Sequence, residues 1–174
     1  MSYEIKQYNG SEFAGKSVFA DVDFFPALDR INQYAKDSGV TIFVTSSYRD
    51  YVIEVKKDNH EIGHAIDMNL IINATGHLCN SECLPNDPDA KVFFDLIRND
   101  GELRTGLDFH QPDPVHIDDG YNQNIIAWTI KHDGGNTGVS STDEIAGNTN
   151  SSEGPDVSDL TRKNKKDFFL VQVF

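Results

Sequence analysis

The chain has 174 residues, enough for one domain with a real core. Its 15 basic and 28 acidic residues give a net charge of −13, which argues against nucleic-acid backbones, anionic membranes or anionic wall polymers as electrostatic partners. No stretch approaches the roughly 18 apolar residues of a membrane span, and the mean hydropathy is −0.47.

Residues 1–20 carry little periodicity, and Ile5, Tyr8, Phe13, Val18 and Phe19 read as an N-terminal arm. The polar start, Met1 to Gly10, lacks a signal-peptide apolar segment, so synthesis in the cytoplasm is expected. Asp21 or Asp23 can cap a helix with Pro26 in its first turn. Phe24, Leu28, Ile31 and Tyr34 or Ala35 recur at helical spacing, and Gly39 ends the run. Val40 to Thr45 is β-branched and predicts a buried strand that delivers Ser46-Ser47-Tyr48-Arg49-Asp50 at its end. Tyr51 to Val55 reads as a short strand or turn, and Lys56 to Asn59 as a loop.

Ala65 to Ile72 alternates, with Asp67 and Asn69 on one face and Ile66, Met68 and Leu70 on the other. Asn73 to Asn86 reads as loop. Its two cysteines, Cys79 and Cys83, admit either a small disulfide or two reduced thiols. A zinc knuckle built on them and His77 lacks a fourth ligand. Asp87 and Pro88 open a helix with Val92, Phe93, Leu96 and Ile97 as its buried stripe, stopped by Asn99-Asp100-Gly101. Leu103 to Phe109 is a strand or extended loop, and two prolines keep Gln111 to Pro114 out of a helix. Val115 to Asp118 is a short strand with His116 and Asp118 on one face. Asn122 can cap a last helix ending at Gly134-Gly135. The expected division is a domain over 1–133 and a flexible tail over 134–174 with an apolar end, Asp167 to Phe174.

Two segments carry the chemistry. His60 and Asp67 flank Gly63, and Asp113-Pro114-Val115-His116 follows about fifty residues later. Two imidazoles and one carboxylate suit a zinc ion with an open fourth position. Such an ion keeps positive charge and lowers the pKa of bound water towards about 7. Asp113, off the metal, is the candidate general base. Arg49, at a strand end, can fork onto a carboxylate or an oxyanion. His64 reads as outside the ligand set, and Asp118 as a candidate to orient His116.

In these motifs the chain resembles the zinc peptidases of bacterial cell-wall metabolism: D-alanyl-D-alanine carboxypeptidases and dipeptidases, and L-alanyl-D-glutamate endopeptidases of phage lysins. Asp58-x-His60-x-x-Gly63-x-Ala65-x-Asp67 and Asp113-x-x-His116 follow that pattern, preceded by Thr45-Ser46-Ser47-Tyr48-Arg49, over roughly residues 22–130. The resemblance implies zinc on His60, Asp67 and His116, Asp113 as base, and substrate contacts from Arg49, Tyr48, Ser47 and Asp58. Asp58 departs from it, standing where the family has serine.

The expected fold is α+β, a small antiparallel sheet with helices on one side and a zinc cleft on the sheet. The expected function is zinc-dependent hydrolysis of a peptidoglycan stem peptide, by a phage lysin or an interbacterial toxin that reaches the wall after lysis or specialised secretion. A toxin implies an immunity protein that plugs the cleft. The competing expectation is a wall-recognition module of the same fold without turnover.

Overall fold

Where the sequence shows no periodicity, the chain folds as three short strands, β1 (Ile5–Tyr8), β2 (Phe13–Gly15) and β3 (Val18–Asp21). Strands this short give alternation too few positions to register. The structure is a computed structural model in which residues 4–49 and 57–136 are described. The turn or strand expected over Tyr51–Val55 lies outside them, as does the tail from residue 137. The chain divides into two compact units, Met1–Val139 and Ser140–Phe174, and the second also lies outside the described residues.

β1 pairs antiparallel with β3 as a separate ribbon, while β2 pairs parallel with β4 (Val40–Ser46). Between them Asp21 caps a single 3-10 turn, Val22–Phe24, which leads into helix α1 (Phe25–Ser38). Pro26 sits in the first turn of α1, and Gly39 closes it with φ 68°, a left-handed conformation that glycine adopts without steric cost. Phe24, Leu28, Ile31 and Ala35 are buried, as their spacing predicts.

β5 (Ala65–Ile72) is the central strand, antiparallel to β4 on one side and to β8 (His116–Asp118) on the other. The loop expected over Asn73–Asn86 contains a strand, β6 (His77–Cys79), which pairs with β5. α2 (Pro88–Asp100) follows, then β7 (Arg104–Thr105) on the far edge of β8. The fold is α+β, and the main sheet is antiparallel except at β2, which joins it parallel to β4.

α1 and α2 pack on each other and on one face of this sheet, burying Val40, Ile42 and Val44 of β4 and Ile66, Met68 and Leu70 of β5. α2 turns Ala90, Phe93, Phe94 and Ile97 inward. Val92, expected in that stripe, is 49% exposed, and Leu96 lies only at the margin. Phe94 is buried in their place. Each such fully buried side chain contributes about 1.5–3 kcal/mol.

The last helix, α3 (Ile125–Asn136), packs mainly on two 3-10 turns, Asn59–Ile62 and Tyr121–Gln123. Its cap is Asn124, whose Oδ1 accepts from Ala127 N–H, and not the expected Asn122. Its isoleucines Ile125, Ile126 and Ile130 are exposed, while Lys131 is buried. Lys131 Nζ lies 2.5 Å from Asp21 Oδ2 and 3.1 Å from Asp23 Oδ2, so a charge cluster turns the helix. Among the described residues, no helix is long and apolar enough to cross a membrane.

A second buried charge ties α1 to the end of α2. Arg30 donates from Nε and Nη2 to Asp100 at 2.8 and 3.2 Å, and the Tyr34 hydroxyl donates to Asp100 at 2.7 Å. Burial pushes the Asp100 carboxyl up, but the bonds from Arg30 and Tyr34 outweigh it and hold the group below its ordinary value. A carboxyl depressed in the folded state stabilises above its unfolded pKa and loses that stability as pH falls through the folded one. Asp100→Asn is therefore expected to flatten the fall in melting temperature below about pH 4, read by thermal denaturation across acid pH.

Candidate metal centre

β5 and β8 are in register with Asp67 opposite His116 and Ile66 opposite Ile117. Side chains alternate along a strand, so the isoleucines enter the core while Asp67 and His116 stand together on the other face. A register shift between Val44 and Ser46 ends β4 beside Asp67, and Ser47 follows it.

His60 reaches the same point from the 3-10 turn Asn59–Ile62. Asp58 caps that turn, its Oδ1 accepting from His60 N–H at 3.0 Å. Gly63 ends it with φ 73°, and its carbonyl accepts from Asp21 N–H at 3.0 Å. A Cβ on Gly63 would lie 2.5 Å from Asp21 N and 3.1 Å from Ala20 C, both backbone atoms, so a side chain does not fit. Turn, glycine and strand together explain the spacing of His60, Gly63 and Asp67.

Three donor atoms converge. His60 Nε2 lies 3.0 Å from Asp67 Oδ1 and 3.3 Å from His116 Nδ1, and His116 Nδ1 lies 3.2 Å from Asp67 Oδ1. Donors on a tetrahedral zinc, with bonds of about 2.0–2.1 Å, stand about 3.3 Å apart. The outer nitrogens are occupied. His60 Nδ1–H donates to the Ser47 carbonyl at 2.7 Å, and His116 Nε2–H donates to Asp118 Oδ2 at 3.0 Å. These partners assign the tautomers and aim both inner lone pairs at the centre. His60, Asp67 and His116 thus form a group that can hold a metal ion.

The electrostatics agree. Burial pushes Asp67 up, yet hydrogen bonds with His116 and His60 hold it well below the usual carboxylate range. Burial pulls His116 down, but Asp118 and Asp67 outweigh it and raise its pKa to about 9. Asp118 is in turn held low, against its burial, by His116 and Arg104. Arg104 grips it with two bonds of 2.7 Å, from Nε and Nη2, and its guanidinium lies 5.2 Å from the Phe109 ring centre.

The centre opens into a cleft of about 740 Å³ whose lining includes Arg49, Asp58, Asp113 and His116. That volume is within the range of sites for small peptide-sized ligands. Arg49 Nη2 lies 3.3 Å from Asp67 Oδ2 and 3.7 Å from Asp58 Oδ2. Asp113 is exposed, and its backbone carbonyl accepts from His116 N–H at 3.0 Å, which ties its position to a candidate ligand. Ser47 is buried behind the centre, its hydroxyl accepting from Phe19 N–H, and Tyr48 N–H donates to the Phe19 carbonyl. His64 is buried, with Nδ1 2.5 Å from Asp119 and Nε2 3.0 Å from Lys131.

Sequence reasoning missed Arg104 and Asn122. Asn122 donates to Asn59 Oδ1 and to the Lys57 carbonyl and accepts from Arg104, clipping the His60 turn to the strand pair. The available signal for Arg104 was a cation two residues before a 3-10 turn, too common to single out. No protein-family model, curated protein or solved structure matches this chain.

Asp118→Asn keeps the shape of the His116 partner and removes its charge. It is expected to weaken metal binding about 10–100-fold, measured by competition with a chromogenic chelator.

Proposed function

We propose that the protein is a zinc-dependent peptidase that hydrolyses a peptide bond in the stem of peptidoglycan, of the D,D-carboxypeptidase or L-Ala-D-Glu endopeptidase type. The observation that supports this most is the convergence of His60 Nε2, Asp67 Oδ1 and His116 Nδ1 at tetrahedral spacing, with both outer nitrogens already engaged. A bound zinc ion supplies a Lewis acid for the scissile carbonyl and an acidified water. Asp113, on the cleft wall, takes the proton from the attacking water and returns it to the leaving amine. Arg49 places its guanidinium beside the metal ligands, where it can stabilise negative charge on the former carbonyl oxygen.

One observation favours a second reading, a zinc-bearing wall-recognition module without turnover. Asp58 puts a carboxylate 3.7 Å from Arg49, at the position where the resembled family has serine. Digestion of purified peptidoglycan separates the two. Zinc-loaded protein is expected to release new amino or carboxyl termini, identified by mass spectrometry, and chelator is expected to stop it. Wall binding without new termini would favour the module.

A further inference from the structure

Outside the cleft, the connection from β5 to α2 gathers four side chains with metal-ligating atoms: His77, Cys79, Cys83 and Asp87. Cys79 and Cys83 are joined by a disulfide. Donor atoms of Cys79, Cys83 and Asp87 all lie within 4.8 Å of one another, and His77 Nε2 lies 3.8 Å from Cys83 Sγ. We infer that reduction of this disulfide creates a second metal site, in which two thiolates, the His77 imidazole and the Asp87 carboxylate hold a zinc-like divalent cation.

The backbone keeps these donors in place without the sulfur–sulfur bond. The Asn80 carbonyl accepts from Cys83 N–H and Leu84 N–H at 3.0 and 2.8 Å, and Asn80 Oδ1 accepts from Glu82 N–H and Cys83 N–H. The Cys83 carbonyl accepts from Asn86 N–H and Asp87 N–H at 2.9 and 3.1 Å. Cys79 is fixed opposite Leu70 by β6, and His77, two residues earlier, shares its face. Asp87 Oδ1 receives both cap bonds of α2, from Asp89 N–H and Ala90 N–H, which leaves Oδ2 for a cation. Sulfurs on a tetrahedral zinc, with bonds of about 2.3 Å, stand about 3.7 Å apart. Rotation of half-buried Cys83 about χ1 supplies that separation while Cys79 stays buried. Three anionic ligands leave the filled site with one net negative charge, which the N-terminus of α2 favours.

The chemistry balances with a dithiol in the cell or a phosphine in the test tube. The phosphine takes oxygen from one water and becomes its oxide, and the disulfide gains two electrons and two protons. Cation binding then releases both thiol protons to solvent. The same loop is thus closed by a cation in a reducing compartment and by a disulfide in an oxidising one.

Cobalt(II) titration of the full chain tests this, because thiolate ligation gives a near-ultraviolet charge-transfer band that nitrogen and oxygen ligands do not. Phosphine-reduced protein, kept free of oxygen, is expected to bind about two cobalt ions with that band, and oxidised protein about one without it. Cys79→Ser with Cys83→Ser removes the band, and His77→Ala and Asp87→Asn each weaken it at least about tenfold in cobalt affinity. His116→Ala removes one equivalent and leaves the band, so the result does not depend on the proposed peptidase centre. The site is overturned if reduced protein with native far-ultraviolet circular dichroism shows no band at saturating cobalt. It is also overturned if His77→Ala and Asp87→Asn leave the band's affinity unchanged.

Discussion

Replacing His116 with alanine is expected to strip the centre of metal and, with it, the proposed peptidase turnover. The substitution deletes one of three converging donors, a larger change than loss of an outer partner, which alone costs about 10–100-fold in affinity. The fold should survive it. β8 is held by backbone pairing with β5 and β7, and Ile117 keeps its place in the core. Asp118 is not left as an isolated buried charge, because Arg104 still binds it through two nitrogens. Metal content after dialysis, read by atomic absorption beside circular dichroism, checks both halves. A folded variant that keeps metal at the parent's affinity would remove His116 from the ligand set.

Asp113→Asn is expected to lower kcat by about 10²–10⁴ while metal content stays at the parent level. The amide has the same shape as the carboxylate but cannot accept the water's proton at neutral pH. Asp113 is exposed, so its replacement leaves no buried charge unpaired, and its backbone carbonyl still accepts from His116 N–H. The loss should therefore appear in kcat with little change in metal affinity. Steady-state kinetics on isolated muropeptides, with bound metal assayed in parallel, provides the check. Unchanged turnover would move the role of base to another group.

Two of the three candidate ligands were legible because each sits where a simple periodicity holds. Alternation through Ala65–Ile72 puts Asp67 on the polar face, and Val115–Asp118 does the same for His116. Asp118 could be foreseen as the partner of His116 for the same reason. The Ser47 carbonyl that orients His60 could not, since a backbone atom leaves no trace in residue type. Arg104 escaped because β7 has two residues, fewer than a period needs to show itself. In α3 polarity misleads outright: Lys131 is inside and Ile126 is 75% exposed, because carboxylates from β3 and the turn after it wait for an ammonium group. The parallel pairing of β2 with β4 is a long-range choice that local sequence does not encode.

One strand serves two masters in β5, where Asp67 joins the candidate metal group while Ile66, Met68 and Leu70 on the opposite face pack in the core. A slip by one residue against β8 would exchange them, turning the Asp67 carboxylate towards Phe93 and Phe94 and Ile66 towards the candidate metal position. Insertions and deletions of a single residue between Ala65 and Asp67 should thus be purged from this chain's descendants for lost folding and lost chemistry at once. Along that short stretch, selection for a stable molecule already polices the geometry of the candidate metal centre.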